Sequence, residues 1–272
     1  NISDKEIRKV VKSEYNFEID CGVFLNKIIN QVKFNERKKW FEYIKRNNTE
    51  ENQFRIINDG KLNMENVLDT IYKKTVDYED NIIFTTGVGN HQMQAYQFIK
   101  SHYPKKIISS GSLGVMGAGL PYAIGAQIAN PNKTVVLIDG DSSFNMTMSD
   151  MKTIVEYNLP IKIMILNNNA QMMVTIWEKL FFNERYTATL NRNNPSYTKV
   201  AEGFGIKSLY CDKLTDLDKT IDLFLSEQGS VLCEFKIEKG MCLPLVAPGK
   251  ALDDMITYDN LKDMKIDGMM PS

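Results

Sequence analysis

The sequence of 272 residues predicts an α/β protein: a six-stranded parallel sheet with helices on both faces, preceded by a helical linker. Two observations lead there. A run such as Thr134 to Ile138, apolar at every position after the first, has no polar face for solvent and must be covered on both sides. Such runs alternate with segments of helical period, the pattern of strand–helix–strand units that build a parallel sheet.

From Asn63 onward each element follows in turn. Ile82 to Thr85 reads as the first strand, and Thr86-Gly87-Val88-Gly89-Asn90 leads into a helix beginning at His91. Lys106 to Ser109 is a second short strand. A turn with Gly111, Gly114, Gly117 and Gly119 follows, then a helix from about Leu120 to Ala129. Thr134 to Ile138 is the third strand. A helix from Thr147 to Tyr157 is closed by Asn158-Leu159-Pro160. Ile161 to Leu166 is the fourth strand. Pro195, tolerated at a first helical position, opens the next helix with Asn194 as its cap. Ile206 to Tyr210 and Val231 to Ile237 complete the six strands, and Leu214, Leu217, Ile221 and Leu225 mark the helix between them. Before Asn63, clusters such as Arg46-Asn47-Asn48-Thr49-Glu50-Glu51-Asn52 mark a connecting segment, with one amphipathic helix from about Leu25 to Lys45.

Composition narrows the function classes. Apolar residues make up 43% and charged residues 25%, the balance of a soluble globular protein. A formal net charge of -1 offers no bulk attraction to nucleic acid or to an anionic membrane. No apolar run approaches the ~18 to 20 residues of a membrane span. Cys21, Cys211, Cys233 and Cys242 lack CxxC spacing and read as free thiols in a reducing compartment: cytoplasm, plastid or mitochondrion. His91 and His102 are too few for a histidine-based metal site.

Ligands of an open parallel sheet bind at the carboxyl ends of its strands, so the turns at 87–91, 111–116, 139–145 and 167–173 are the places to look. Gly140-Asp141-Ser142-Ser143 follows the third strand and Asn167-Asn168 follows the fourth. The interval between them holds one helix and one strand, a right-handed crossover that returns the chain to the same sheet edge. One carboxylate and one carboxamide then face a common point. Oxygen ligands of this kind suit Mg²⁺, which completes its octahedron with substrate phosphates and water. Backbone N–H groups at Ser142 and Ser143 suit phosphate oxygens. A single Asp is enough beside a diphosphate, because a second carboxylate would repel it. Either pair alone reads as ordinary loop and cap residues. Together, each directly after an apolar strand, they resemble the Gly-Asp-Gly…Asn-Asn signature of thiamine-diphosphate (ThDP) enzymes, with Ser142 in place of the second glycine.

The wider sequence resembles the acetolactate synthase (acetohydroxyacid synthase) catalytic subunits from about residue 80 to residue 257. The likeness rests on Thr86-Gly87-Val88-Gly89-Asn90-His91-Gln92-Met93, Gly117-Ala118-Gly119-Leu120-Pro121-Tyr122-Ala123-Ile124-Gly125-Ala126 and Asp139-Gly140-Asp141-Ser142-Ser143-Phe144-Asn145-Met146-Thr147. Leu159-Pro160-Ile161-Lys162, Trp177-Glu178-Lys179-Leu180-Phe181-Phe182 and Leu243-Pro244-Leu245-Val246-Ala247-Pro248-Gly249 extend it. The resemblance implies roles. Val88, Gly89, Asn90 and His91 match residues that contact the ThDP diphosphate, as do Ser142 and Ser143. Gly140, Met172 and Met173 match cofactor-binding positions, Met172 where the family's glycine lets the backbone approach the diphosphate. Asp141 and Asn168 match side-chain Mg²⁺ ligands, and Ala170 matches a ligand through its backbone carbonyl. Gly114 and Met116 match residues against the aminopyrimidine, where a bulky apolar side chain keeps the two cofactor rings folded together. Trp177 matches a wall of the second-substrate pocket. Two departures stand out: Asn90 where the family has Gln, and Met172 where it has Gly. If that glycine requires positive φ, Met172 carries a steric cost.

The resemblance also sets the expected organisation: residues 1–60 as the end of a middle domain plus linker, 61–240 as the ThDP/Mg-binding domain, and 241–272 as a tail near the active site. The family's catalytic Glu, which protonates the pyrimidine, lies in an N-terminal domain, so no catalytic residue is expected in this chain. The expectation is a piece of a longer protein, inactive by itself. The whole enzyme would condense pyruvate with pyruvate or 2-oxobutyrate, as a homodimer or higher homo-oligomer with FAD in the middle domain and with a regulatory subunit as a further partner. Two other readings use the same residues: a ThDP-dependent 2-oxo-acid decarboxylase or oxidase, and a non-catalytic ThDP-binding paralogue. A dinucleotide site at Gly87-Val88-Gly89 is disfavoured, because the third glycine of that fingerprint is absent.

Overall fold

Period-two alternation along the strands sorts their side chains into two cores. A computed structural model describes residues 3–7, 12–47, 56–101, 106–258 and 261. His102, residues 48–55 of the connecting segment and most of the tail beyond residue 258 lie outside the described residues. The chain divides into two compact units, Asn1–Gln53 and Phe54–Ser272.

The first unit holds α1 (Cys21–Ile28) and α2 (Lys38–Asn47) in place of the single helix expected over 25–45. The reason is local. Asp20 caps α1 by accepting from Gly22 N and Val23 N. Arg37 takes a positive φ of 47°, and Asn35 Oδ1 accepts from its N–H, a turn directly before α2.

The second unit contains α3 (Met64–Thr75), β1 (Ile82–Thr86), α4 (Asn90–Phe98), β2 (Ile107–Ser109), α5 (Gly119–Ala129), β3 (Thr134–Gly140), α6 (Asp141–Phe144), α7 (Met151–Glu156) and β4 (Lys162–Asn167). It continues through α8 (Met172–Phe181), α9 (Tyr197–Gly203), β5 (Lys207–Cys211), α10 (Leu217–Ser226) and β6 (Val231–Lys236). The six strands form one parallel sheet in the order β2-β1-β3-β4-β6-β5, as the fold class predicts.

On one face Phe84, Val136, Ile138, Met164, Leu166, Cys233 and Phe235 pack with Val67, Leu68 and Ile71 of α3 and Ile221 and Phe224 of α10. On the other face Ile83, Val135, Leu137, Ile163, Ile165 and Leu232 pack with Leu120 and Ala123 of α5, Ile154 of α7 and Tyr197 and Ala201 of α9. Burying each such aliphatic or aromatic side chain contributes about 1.5–3 kcal/mol.

Two expected helices are corrected. The segment 147–157 does not run as one helix: a 3-10 turn, Met148–Asp150, precedes α7. Thr147 stays outside helical geometry at φ -134° while its hydroxyl donates to Gly117 O at 2.7 Å. The cap of α9 is Ser196, which accepts from Lys199 N, and not Asn194.

After β6 the tail crosses back. Leu245–Val246 pairs antiparallel with Met255–Ile256, forming the short strands β7 and β8. Cys242 joins Ala170, Met172 and Ile176 in a third, smaller cluster, bordered by Met93, Met241 and Leu245. Gln97 Nε2 on α4 donates to Leu243 O at 3.1 Å.

Candidate functional site

The chain lays β2 on one side of β1 and then returns to place β3 on the other. The strand order therefore reverses between β1 and β3, and the crevice at their carboxyl ends is the place such a sheet binds ligands. A cavity of about 210 Å³ lies there. Its lining includes Val88, Gly89, Asn90 and His91 after β1, Gly114 and Met116 after β2, and Gly140, Asp141, Ser142 and Ser143 after β3. Asn168, Ala170, Met172 and Met173 after β4 complete the wall, with Leu166, Gln171 and Val174. Fourteen candidate residues thus meet in one place. Trp177 does not line this cavity: it stands farther along α8, half-buried, its ring edge-on to Phe181 at 5.3 Å.

Several glycines are explained by neighbouring protein. A Cβ at Gly89 would come within 2.8 Å of the His91 ring, and one at Gly140 within 2.7 Å of His91 Nδ1. A Cβ at Gly87 would lie 2.0 Å from Asp139 Oδ1. These positions lack side chains because a buried His91–Asp139 pair fills the space beneath the turns. His91 Nε2 stands 3.2 Å from Asp139 Oδ1 without completing a hydrogen bond, so Nε2 and Asp139 Oδ2 are buried polar atoms lacking partners.

The glycine-rich turn after β2 is pinned. Gly117, at φ 80°, donates its N–H to Ser143 Oγ at 2.9 Å and accepts from Thr147 through its carbonyl. Val115 N donates to Ser110 Oγ at 3.1 Å. Met116 sits between these anchors, the long apolar side chain that this turn offers the cavity. The two serines of the β3 turn are committed within the protein. Ser143 takes the Gly117 bond, and Ser142 Oγ accepts from Asn191 Nδ2 at 2.6 Å.

Asp141 is 1% exposed. Burial raises its carboxyl above the ordinary range, opposed by amide hydrogen bonds from Asn191 and Asn194 and by the charge of Lys236. Both amides donate to the same oxygen, Oδ2, at 2.8 and 2.7 Å. Asn168 Oδ1 accepts from Ala170 N at 3.1 Å, and a carboxamide oxygen has a second lone pair to offer. The positive φ of this turn falls at Asn169, 56°, and not at Met172, which opens α8. The steric cost expected at Met172 is therefore not incurred. Its side chain is 6% exposed and packs in the cluster shared with the tail.

The donor set can be tested against Mg²⁺. One carboxylate, one carboxamide oxygen and one backbone carbonyl are hard oxygen ligands that leave positions for phosphate and water. Among the described residues no three His, Cys, Asp or Glu side chains gather into a metal-binding group. The residues present fit a magnesium diphosphate. The sequence reading missed Asn191, Asn194, Asn169 and Asp139. The Asn-rich stretch Asn191-Arg192-Asn193-Asn194 before Pro195 was the available signal. No described helix is long and apolar enough to cross a membrane.

Comparison with known proteins adds names. The family described as Thiamine pyrophosphate enzyme, C-terminal TPP binding domain matches residues 87–235. The mitochondrial acetolactate synthase catalytic subunit of Saccharomyces cerevisiae is 40% identical over 263 residues, 95% of this chain and 38% of that protein. The mitochondrial acetolactate synthase of Schizosaccharomyces pombe is 38% identical over 267 residues, 96% of this chain and 40% of that protein. The acetolactate synthase large subunit of Pyropia yezoensis is 44% identical over 178 residues, 65% of this chain and 30% of that protein. The chain thus spans 38% and 40% of the length of the two yeast relatives.

Proposed function

We propose that this chain, which belongs to the thiamine pyrophosphate enzymes by its C-terminal TPP-binding domain, forms the cofactor-diphosphate-binding portion of an acetolactate synthase catalytic subunit. The whole protein would condense pyruvate with a second pyruvate or with 2-oxobutyrate, a step of branched-chain amino-acid biosynthesis. What carries the reading is the convergence of Asp141, Asn168 and Ala170 with the β1 and β2 turns around one cavity at the strand-order reversal. The names of the relatives, all acetolactate synthases, support the reaction class.

In this reading Asp141, Asn168 and the Ala170 carbonyl hold Mg²⁺. Val88, Gly89, Asn90, His91, Ser142 and Ser143 surround the diphosphate, Gly140, Met172 and Met173 contribute to the cofactor site, and Gly114 and Met116 meet the aminopyrimidine. The bound cofactor supplies the chemistry of decarboxylation and carbon–carbon bond formation, and the chain binds and orients it. Met116 offers an apolar surface from a turn that Ser110, Ser143 and Thr147 keep from moving. Trp177 is assigned to the wall that meets the second 2-oxo acid. The catalytic glutamate, the FAD site, the homo-oligomer and a regulatory subunit belong to the longer protein. Within it, residues 1–60 finish a middle domain and linker, 61–240 form the cofactor domain and 241–272 form a tail beside the site.

The test is calorimetry of ThDP binding in the presence of Mg²⁺. Asp141→Ala leaves only neutral ligands, which cannot hold a hard cation against water. Metal-dependent ThDP binding should be abolished, and unchanged affinity in this variant would refute the assignment.

A further inference from the structure

The candidate metal ligands come from two strands. Asp141 follows β3, and Asn168 and Ala170 follow β4. The last β3–β4 rung pairs Gly140 with Leu166, so strand pairing does not set the distance between the ligands beyond it. A third segment, 189–194, spans that interval. It lies along the β4 turn: Gln171 N donates to Thr189 O at 2.8 Å, Asn191 N donates to Asn169 O at 2.9 Å, and Ala170 bridges Leu190. From this line Asn191 and Asn194 both reach Asp141 Oδ2. The Asn194 amide nitrogen is also 3.3 Å from Asn167 Oδ1 and 3.2 Å from Asn169 Oδ1, the side chain of the left-handed residue. One amide group therefore touches the β3 carboxylate and two residues of the β4 turn.

We propose that Asn194, seconded by Asn191, is a positioning residue that sets the spacing between the Asp141 carboxylate and the Asn168–Ala170 turn, and thereby matches the site to a small divalent cation. The proposal rests on the reading of those three residues as metal ligands. Both amides use Oδ2, which leaves Oδ1 of the carboxylate for a cation. Mg²⁺ requires near-ideal octahedral ligands at about 2.0–2.1 Å, whereas Ca²⁺ accepts looser geometry at about 2.3–2.6 Å. An amide shared between the Asp141 carboxylate and Asn167 and Asn169, the neighbours of Asn168 and Ala170, holds the tighter spacing. Released from it, the ligands separate by the few tenths of an ångström that the larger ion needs. Partners that orient a metal ligand in this way are worth about 10- to 100-fold in affinity.

The experiment titrates ThDP into the full-length protein by calorimetry, once with saturating Mg²⁺ and once with saturating Ca²⁺. It compares the unaltered protein with Asn194→Ala, Asn191→Ala and Asp141→Ala. For Asn194→Ala the Mg²⁺-supported affinity should fall about tenfold or more, and the Ca²⁺-supported affinity by less than about threefold. Asn191→Ala should move the ratio the same way by a smaller factor. Equal losses with both ions, as general loosening would produce, overturn the proposal, and so does no loss. If Asn194→Ala does not fold, judged by its thermal melt without metal, Asn191→Ala decides alone, and an unaltered ratio overturns the idea. Asp141→Ala separates the two levels. If it leaves ThDP binding intact with either ion, the metal site itself is misassigned. If it loses binding while Asn194→Ala and Asn191→Ala keep the ratio, only the spacing role fails.

Discussion

Glu65 on α3 is 2% exposed, and one of its oxygens accepts from Gln94 Nε2 on α4 at 2.9 Å. Its other oxygen and Gln94 Oε1 are both buried and unpartnered. Two acceptors without a donor are a cost that a proton on Glu65 relieves. Burial accordingly lifts the carboxyl above its ordinary 4.5, and Asp59 adds to the rise, against the hydrogen bonds from the backbone and Gln94. The sign follows from proton counting. The folded state keeps its proton where the unfolded chain has lost it, so stability falls as pH rises from the ordinary range toward the raised value. Glu65→Gln supplies a permanent donor. It should stabilise the protein by about 1–2 kcal/mol at pH 8, with the gain vanishing near pH 4. Urea midpoints at the two pH values check this, and a pH-independent difference would count against it. Residue identity also marks where sequence reading stops. Asn194 before Pro195 and Ser196 is an equally good helix cap or long-range donor by type, and only the tertiary position of Asp141 decides between them. Met172 posed the opposite problem: its strain was inferred from a glycine elsewhere, while the left-handed residue is Asn169.

At the level of elements, α5 carries two glycines with opposite meanings. A Cβ at Gly119 would meet Gly87 N at 2.5 Å and Thr86 C at 2.9 Å, backbone atoms of the turn that ends β1. Thr85 Oγ1 donates to Gly119 O at 3.2 Å, which fixes the helix start against that strand. Gly119→Ala must push the helix off the β1 turn, at a cost of about 3 kcal/mol. A Cβ at Gly125 meets nothing within 4 Å, so Gly125→Ala should stabilise by about 0.5–1 kcal/mol through lost chain entropy. Chemical denaturation of the pair measures the difference, and like signs would contradict the docking of α5 on β1. The central strands were legible because they are buried on both faces and largely apolar, as Val135 to Ile138 are. The helices were less so. The break at Thr147 comes from a hydrogen bond to Gly117, thirty positions away, which no local period reveals. Between α1 and α2, Asn35 Oδ1 accepts from Arg37 N just before α2 begins, a local turn that the apolar period across 25–45 does not reveal.

At the level of the whole molecule, one sheet edge collects turns from four strands, and the order reversal beside β1 opens the cavity. That collection was legible in the sequence as four polar turns after apolar runs. The segment 189–194 that backs it was not, because it belongs to no strand and bears no motif. Met172 has a double membership. It lines the cavity, and it packs with Cys242 in the cluster bordered by Met241 and Leu245. Ordering of residues 241–246 and filling of the cavity are then expected to be linked equilibria, and linkage is reciprocal. A ligand that steadies the β4 turn slows amide hydrogen exchange at residues 241–246. Removal of the tail weakens that ligand by the same factor by which the ligand had protected the tail. Exchange mass spectrometry with and without ThDP and Mg²⁺ reads the first half, and unchanged protection there would show that the two motions are independent. If they are coupled, the tail is a reporter: its solvent accessibility tells from outside whether the crevice within is occupied.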